Sequence, residues 1–207
     1  MSKAAMLGSD QLGWFEQVYL DAAGDAQQIP WVDERANPLF TEWYATAGLE
    51  PRRALVVGCG LGEEAAFLAK REWEVDAFDI SPTAIEWAKS RFPAVDVRWS
   101  VADIRELPDR WTAAFDLVIE VHVLQSIPHI FRGEAKRALA PLLARHGRLM
   151  CVGRLREDGP EPEGPPWPLT RGFVESIGRD LTSSSIEELR MDDDEPDVLR
   201  FRAVWMR

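Results

Sequence analysis

Apolar residues along this chain follow two rhythms, one helical and one extended, and the change between them falls near residue 50. From Asp10 to about Ala47 the spacing is helical and rich in rings: Trp14, Phe15, Tyr19, then Trp31, Phe40, Trp43 and Tyr44. Asp10 is placed to cap the first helix. Residues 27–31 interrupt the pattern, because Pro30 disfavours a helical residue before it. Residues 54–58 form an unbroken apolar run, as in a strand buried on both faces. Strands and helices then alternate. Helix is expected over 62–70, strand over 74–79, and helix from the Ser81-Pro82 start to about Phe92. Strands follow over 95–100 and 115–120, then a helix over 132–144 and a strand over 148–152.

Beyond 152 the character changes. Residues 159–168 are crowded with proline, glycine and acid, which makes a loop too long for an ordinary connection. A short helix over 170–178 precedes strands near 186–189 and 199–205, separated by the acidic turn 192–196 and read as a closing antiparallel pair. Strands alternating with helices imply parallel crossovers and a doubly wound sheet. The expected fold is a Rossmann-like α/β three-layer sandwich. Its seven-stranded sheet is mostly parallel, with an antiparallel C-terminal strand. Residues 1–50 are expected to form a helical lid segment and 51–207 the main domain, one structural unit overall.

Function concentrates at strand ends. Gly58, Cys59, Gly60, Leu61 and Gly62 lie between the first strand and its helix, where glycine lets a ligand approach the main chain. A dinucleotide fingerprint would place its third glycine at Glu63, and Glu64 follows. Two carboxylates there oppose a pyrophosphate. No Lys-Ser/Thr pair follows the glycines, which excludes a P-loop. An adenosyl ligand without phosphates therefore fits better than NAD. Asp79, ending the second strand, is positioned to accept from both ribose hydroxyls, with Ile80 beside it. Asp103 would accept from an adenine amino group while Ile104 packs on the ring, and Glu120 ends the fourth strand facing the same crevice.

These motifs resemble the class I S-adenosylmethionine-dependent methyltransferases over roughly residues 54–152: VVGCGLG, DAFDIS, VADI and FDLVIE. Three flanking segments are similar to the thiopurine, small-thiol and halide methyltransferase branch. They are Ile29-Pro-Trp31, Ile127-Pro-His-Ile-Phe-Arg132 and Gly164-Pro-Pro-Trp167. The resemblance implies S-adenosyl-L-methionine as cofactor and a small-molecule acceptor, a thiol first. It places Trp31 beside the cofactor. Glu120-Val-His122 departs from the branch's pattern.

For chemistry, His122 is the candidate base, with an ordinary pKa of about 6.5. Arg132 is a candidate for holding an anionic acceptor or favouring a thiolate. Gln125 would orient the acceptor and Trp167 would wall its pocket. Each has a purely structural reading as well. The alternatives are an O- or N-methyltransferase using His122, and a binding module without catalysis.

Composition narrows the partners. A net charge of −11 disfavours nucleic acid and anionic membranes. Two cysteines and three scattered histidines give neither a disulfide framework nor metal spacing. No signal segment or membrane span is expected, so a cytoplasmic monomer or homodimer is the expectation.

Overall fold

The computed structural model describes residues 12–191 and 198–207. The expected Asp10 cap and the acidic turn at 192–196 lie outside the described residues. Eight strands form one sheet in the order β3-β2-β1-β4-β5-β8-β7, with β6 pairing β5 off that path. They are β1 (Arg53–Val57), β2 (Glu74–Asp79), β3 (Val97–Val101), β4 (Phe115–Val121), β5 (Leu143–Arg156), β6 (Leu169–Thr170), β7 (Thr182–Leu189) and β8 (Leu199–Met206). The expected seven strands become eight because Leu169 and Thr170 pair with Leu155 and Arg156. Such a two-residue pairing leaves no apolar periodicity in the sequence. β8 is antiparallel to both its neighbours, and β1 to β5 are mutually parallel.

Both faces of the sheet are covered, and the strands show why. Leu55 and Val57 of β1 point into one core with Phe78, Val118 and Leu149. Ala54 and Val56 point into the other with Ala77, Ile119 and Met150. Alternate residues face opposite sides of a strand, so a strand covered twice reads as continuous apolar sequence. Helices α5 (His129–Leu139) and α6 (Arg171–Ile177) cover the first face through Ala135, Leu139, Val174 and Ile177. Helices α2 (Pro38–Thr46), α3 (Glu63–Ala69) and α4 (Pro82–Arg91) cover the second through Leu39, Phe40, Leu68 and Ile85.

The fourth-strand crossover differs from its expectation. Helix α5 stops at Leu139, a single 3-10 turn spans Ala140–Leu142, and β5 starts at Leu143. Pro141 supplies the reason, since its ring and missing N–H cannot continue the helix. Helix α4 matches its start signal: Ser81 Oγ accepts from the Ala84 N–H at 2.9 Å, with Pro82 at the first helical position.

The N-terminal segment divides in two. Phe40 of α2 is fully buried in the sheet core, so α2 is part of the sandwich. Helix α1 (Gly13–Ala22) instead joins a small separate cluster of Tyr19, Ala22, Ile29, Leu61 and Ala84 above the glycine turn. Its Glu16 accepts from the Thr83 N–H at 3.1 Å and the Thr83 hydroxyl at 2.6 Å, and from the Ser81 hydroxyl. A carboxylate on the N-terminus of α4 is favoured by the helix dipole. Burial pushes Glu16 upward, but these hydrogen bonds outweigh it and hold its pKa below the ordinary glutamate value.

Candidate active site

The sheet order reverses between β1 and β4, and a crevice opens there at the carboxyl ends of the strands. The turn after β1 forms its floor. Gly58, Gly60 and Gly62 all have positive φ, at 55°, 50° and 94°. A Cβ on Gly58 would lie 2.5 Å from Val123 Cγ2, so only glycine fits beneath the turn after β4. Gly62 does not line the crevice; it caps α3 and packs against Trp99 and Ala88.

Asp79 joins the first two strand ends. Its Oδ2 accepts from the Gly60 N–H and its Oδ1 from the Ser81 N–H, both at 2.9 Å. Burial raises its pKa, while the N–H groups of Ser81, Gly60 and Ile80 oppose that rise. These N–H groups leave the carboxylate acceptor capacity for a ligand hydroxyl. Ile80, Ile104 and Asp103 line the crevice beside it. Asp103 is already engaged: Arg105 Nε and Nη2 reach its oxygens at 3.0 and 2.6 Å. That hydrogen-bonded pairing outweighs burial and lowers the pKa of Asp103.

The two acids at the start of α3 also line the crevice. Glu63 pairs with Arg91 at 2.7 Å. Glu64 accepts from the Asn37 N–H at 2.9 Å, and burial raises its pKa to about 7. Acids at this helix start are hostile to a pyrophosphate and tolerable for an adenosyl group without phosphates. The glycine floor, the oriented Asp79 and these acids fit S-adenosylmethionine.

Rings close the other side. Trp31 lines the crevice and donates its indole N–H to the Tyr19 hydroxyl at 3.0 Å, while packing on Trp14 and Phe15. Burial, then the nearby Asp79, push the Tyr19 phenol well above its ordinary value, so it stays protonated. Cys59 lines the floor as a buried thiol whose pKa burial pushes well up, which leaves it no nucleophile.

His122 enters the crevice from the turn after β4, with φ at 63°. Its Nε2 lies 3.4 Å from Asn37 Nδ2 and 3.5 Å from Arg200 Nη1. The Asn37 amide orientation follows from its Oδ1, which accepts from the Leu39 N–H at 3.0 Å. Two donors therefore face Nε2, which places its lone pair toward them.

Glu120, Gln125, Arg132 and Trp167 are not among the residues lining the crevice. Strand β4 runs one residue past Glu120, so its strand-end position belongs to Val121 and His122. The Glu120 side chain is buried, accepts from the Leu124 N–H at 2.9 Å, and lies across from Cys151 of β5. Gln125 Oε1 accepts from the Arg154 N–H at 2.6 Å, and its carbonyl accepts from the Trp167 N–H at 2.7 Å. Arg132 donates through Nε and Nη2 to the Ile127 carbonyl at 3.2 and 3.0 Å and pairs with Glu161 at 2.6 Å. These residues brace the 122–127 turn from behind, and Val123, Ser126 and Ile127 of that turn touch the crevice.

Sequence reasoning missed Asn37, which lines the crevice. The Asn37-Pro38 pair is a readable helix start, but nothing local announces that the capping side chain also meets His122.

The model of the family described as Thiopurine S-methyltransferase (TPMT) matches residues 21–204. Thiocyanate methyltransferase 1 of Arabidopsis thaliana is 29% identical over 125 residues, 59% of this chain and 55% of that protein. A ubiquinone biosynthesis O-methyltransferase of Alkalilimnicola ehrlichii is 35% identical over 96 residues, 44% of this chain and 39% of that protein. The chain thus spans only about half, or less, of the length of these relatives. Among solved structures, the 1,6-didemethyltoxoflavin-N1-methyltransferase of Burkholderia thailandensis, with S-adenosylhomocysteine bound, is similar at a TM-score of 0.73. The two are 20% identical, and the match covers 95% of this chain and 88% of that one. At that identity the likeness is one of fold. The family match extends over nearly the whole sandwich, and this chain belongs to the thiopurine S-methyltransferase family, within the S-adenosylmethionine-dependent methyltransferases.

Proposed function

We propose that this chain transfers a methyl group from S-adenosylmethionine to a small-molecule acceptor with a soft nucleophile, a thiol first among them. The observation that carries this reading is the crevice where Gly60 and Asp79 meet, in a chain matched to the thiopurine S-methyltransferase family over residues 21–204. The bound cofactor supplies an activated methyl on a sulfonium, so the reaction is an in-line displacement that needs alignment above all.

The chain's own residues do the holding. Gly58 and Gly60 bring bare backbone to the ligand, Asp79 accepts from ribose hydroxyls, and Ile80 and Ile104 wall the adenine. Asp103 offers the adenine amino group whatever capacity Arg105 leaves. Trp31, Phe15 and Tyr19 cover the methionine end and keep water out. Glu120, Gln125, Arg132 and Trp167 act as positioning residues, holding the turn that presents His122, Val123 and Ser126.

The thiol preference rests on His122. A general base needs a lone pair aimed at the acceptor, and Nε2 faces Asn37 and Arg200 instead. A thiol with a free pKa of about 8.5 reaches its thiolate with little help, whereas a phenol or amine more often needs a base. Labelled methyl transfer from S-adenosylmethionine to a panel of thiols, phenols and amines tests the reading. Turnover on thiols that changes less than threefold in His122→Ala, with none on phenols, is expected. Phenol turnover abolished by that variant would move the assignment to an O-methyltransferase using His122 as base.

A further inference from the structure

Lys136, Arg137, Arg179 and Arg207 line a second hollow, which lies on the edge of the sheet opposite the crevice. Topology explains the gathering. Helices α5 and α6 run back from the carboxyl edge, so their last turns bring Lys136, Arg137 and Ser176 to the amino edge. Strand β8 is antiparallel to β5, and Met206 pairs with Arg148 near the start of β5, which leaves Arg207 at the same edge.

Three observations bear on what this hollow can hold. The chain carries a net charge of −11, and many of its cations are paired: Arg91 with Glu63, Arg98 with Asp76, Arg105 with Asp103, Arg132 with Glu161. Among the described residues, none of the four cations of the hollow pairs with a carboxylate, although Asp180 lines the same space. Two of the four are also held in place. Lys136 Nζ donates to Ser176 Oγ at 2.8 Å, and Arg207 Nη1 donates to the Leu143 carbonyl at 2.6 Å. Finally, the group is self-repelling: burial lowers the pKa of Lys136, and Arg179 and Arg137 lower it further. The C-terminal ends of α5 and α6 attract cations and account for part of this. They do not account for Arg207, which sits on a strand end, or for four cations lining one hollow beside a single acidic side chain, Asp180.

We propose that this hollow binds a small oxyanion ligand carrying two or more negative charges, of the phosphate or carboxylate class, at a site separate from the crevice. Guanidinium forks suit such oxygens because they donate in pairs to planar or tetrahedral oxyanions. The inference does not depend on which acceptor the crevice takes.

The test is isothermal titration of the full chain with pyrophosphate and, separately, with citrate at low ionic strength. S-adenosylhomocysteine is titrated alongside. Saturable one-to-one binding of either probe is expected, weakened at least tenfold in the double variant Arg137→Glu/Arg179→Glu and unaffected by saturating S-adenosylhomocysteine. The exposed single variant Arg179→Gln, expected to weaken binding at least threefold, serves if the double variant does not fold. No saturable binding of either probe, equal binding by wild type and variant, or displacement by S-adenosylhomocysteine would overturn the proposal. A failed S-adenosylhomocysteine titration beside intact probe binding would count against the crevice reading alone.

Discussion

The Gly60 N–H donates to Asp79 Oδ2 at 2.9 Å, so the glycine turn after β1 and the acid after β2 form one hydrogen-bonded unit across 19 residues of sequence. The other oxygen of the same carboxylate holds the Ser81 N–H at the start of α4. Helix α1 then grips that start through Glu16. The floor, the ribose-facing acid and the covering helix are thus a connected set, and a change at any of them is felt at the others.

Gly58→Ala should damage fold and site together. The residue sits at a φ of 55° and its new Cβ would meet Val123 Cγ2 at 2.5 Å. A left-handed L-residue costs about 1–2 kcal/mol, and overpacking about 1–3 kcal/mol more. Calorimetry should show a melting temperature lower by roughly 4–20 °C at about 2–4 °C per kcal/mol. Adding Val123→Ala should recover the packing part only. An unchanged melting temperature in the single variant would refute the contact.

Glu120→Gln should become stabilising as the pH rises. Burial, opposed by the Leu124 N–H, raises the Glu120 pKa from 4.5 to about 7. Its Oε2 makes no hydrogen bond among the described residues. An acid whose folded pKa lies above its unfolded one stabilises the fold relative to higher pH, and that stability is lost as pH climbs through the interval. Here the interval runs from 4.5 to about 7. Denaturant unfolding should find the variant up to about 3 kcal/mol more stable than wild type at pH 8, with the difference nearly gone at pH 4. The amide can still accept from Leu124. A pH-independent difference would mean that folding leaves the Glu120 pKa unshifted.

Arg132→Ala should loosen the acceptor side without touching cofactor affinity. The guanidinium is buried, ties the Ile127 carbonyl to Glu161, and lies 5.9 Å above the Trp167 ring. Its loss should cost about 2–3 kcal/mol of stability and raise the acceptor KM. The Kd for S-adenosylhomocysteine should stay within twofold. A fall in kcat with stability and KM unchanged would return Arg132 to direct contact with the acceptor.

How legible the chain was depends on how local each signal is. The glycine turn, Asp79 and the Ser81-Pro82 start combine short-range backbone requirements, and all of those residues but Gly62, which turns from the crevice to cap α3, stand where the sequence places them. Glu120 went astray because β4 is apolar on both faces. Its run carries no alternation to say which way a residue points, and its end is blurred by one position. The sequence places Arg132, Gln125 and Trp167 at an acceptor, yet their partners Glu161, Arg154 and the Gln125 carbonyl lie far off along the chain. Such pairings leave no periodicity to find. The division of residues 1–50 between a core helix and a covering helix was hidden for a similar reason, since rings serve equally well in either place.

Titration calorimetry of S-adenosylhomocysteine and of NAD against wild type and Asp79→Ala addresses the crevice itself. The phosphate-free ligand should bind one-to-one and NAD should give no heat. The variant, shown folded by its melting curve, should bind at least tenfold more weakly, as expected for losing hydrogen bonds to a charged acceptor. Tighter binding of NAD than of S-adenosylhomocysteine, or an Asp79→Ala chain that binds S-adenosylhomocysteine as wild type does, would contradict the account.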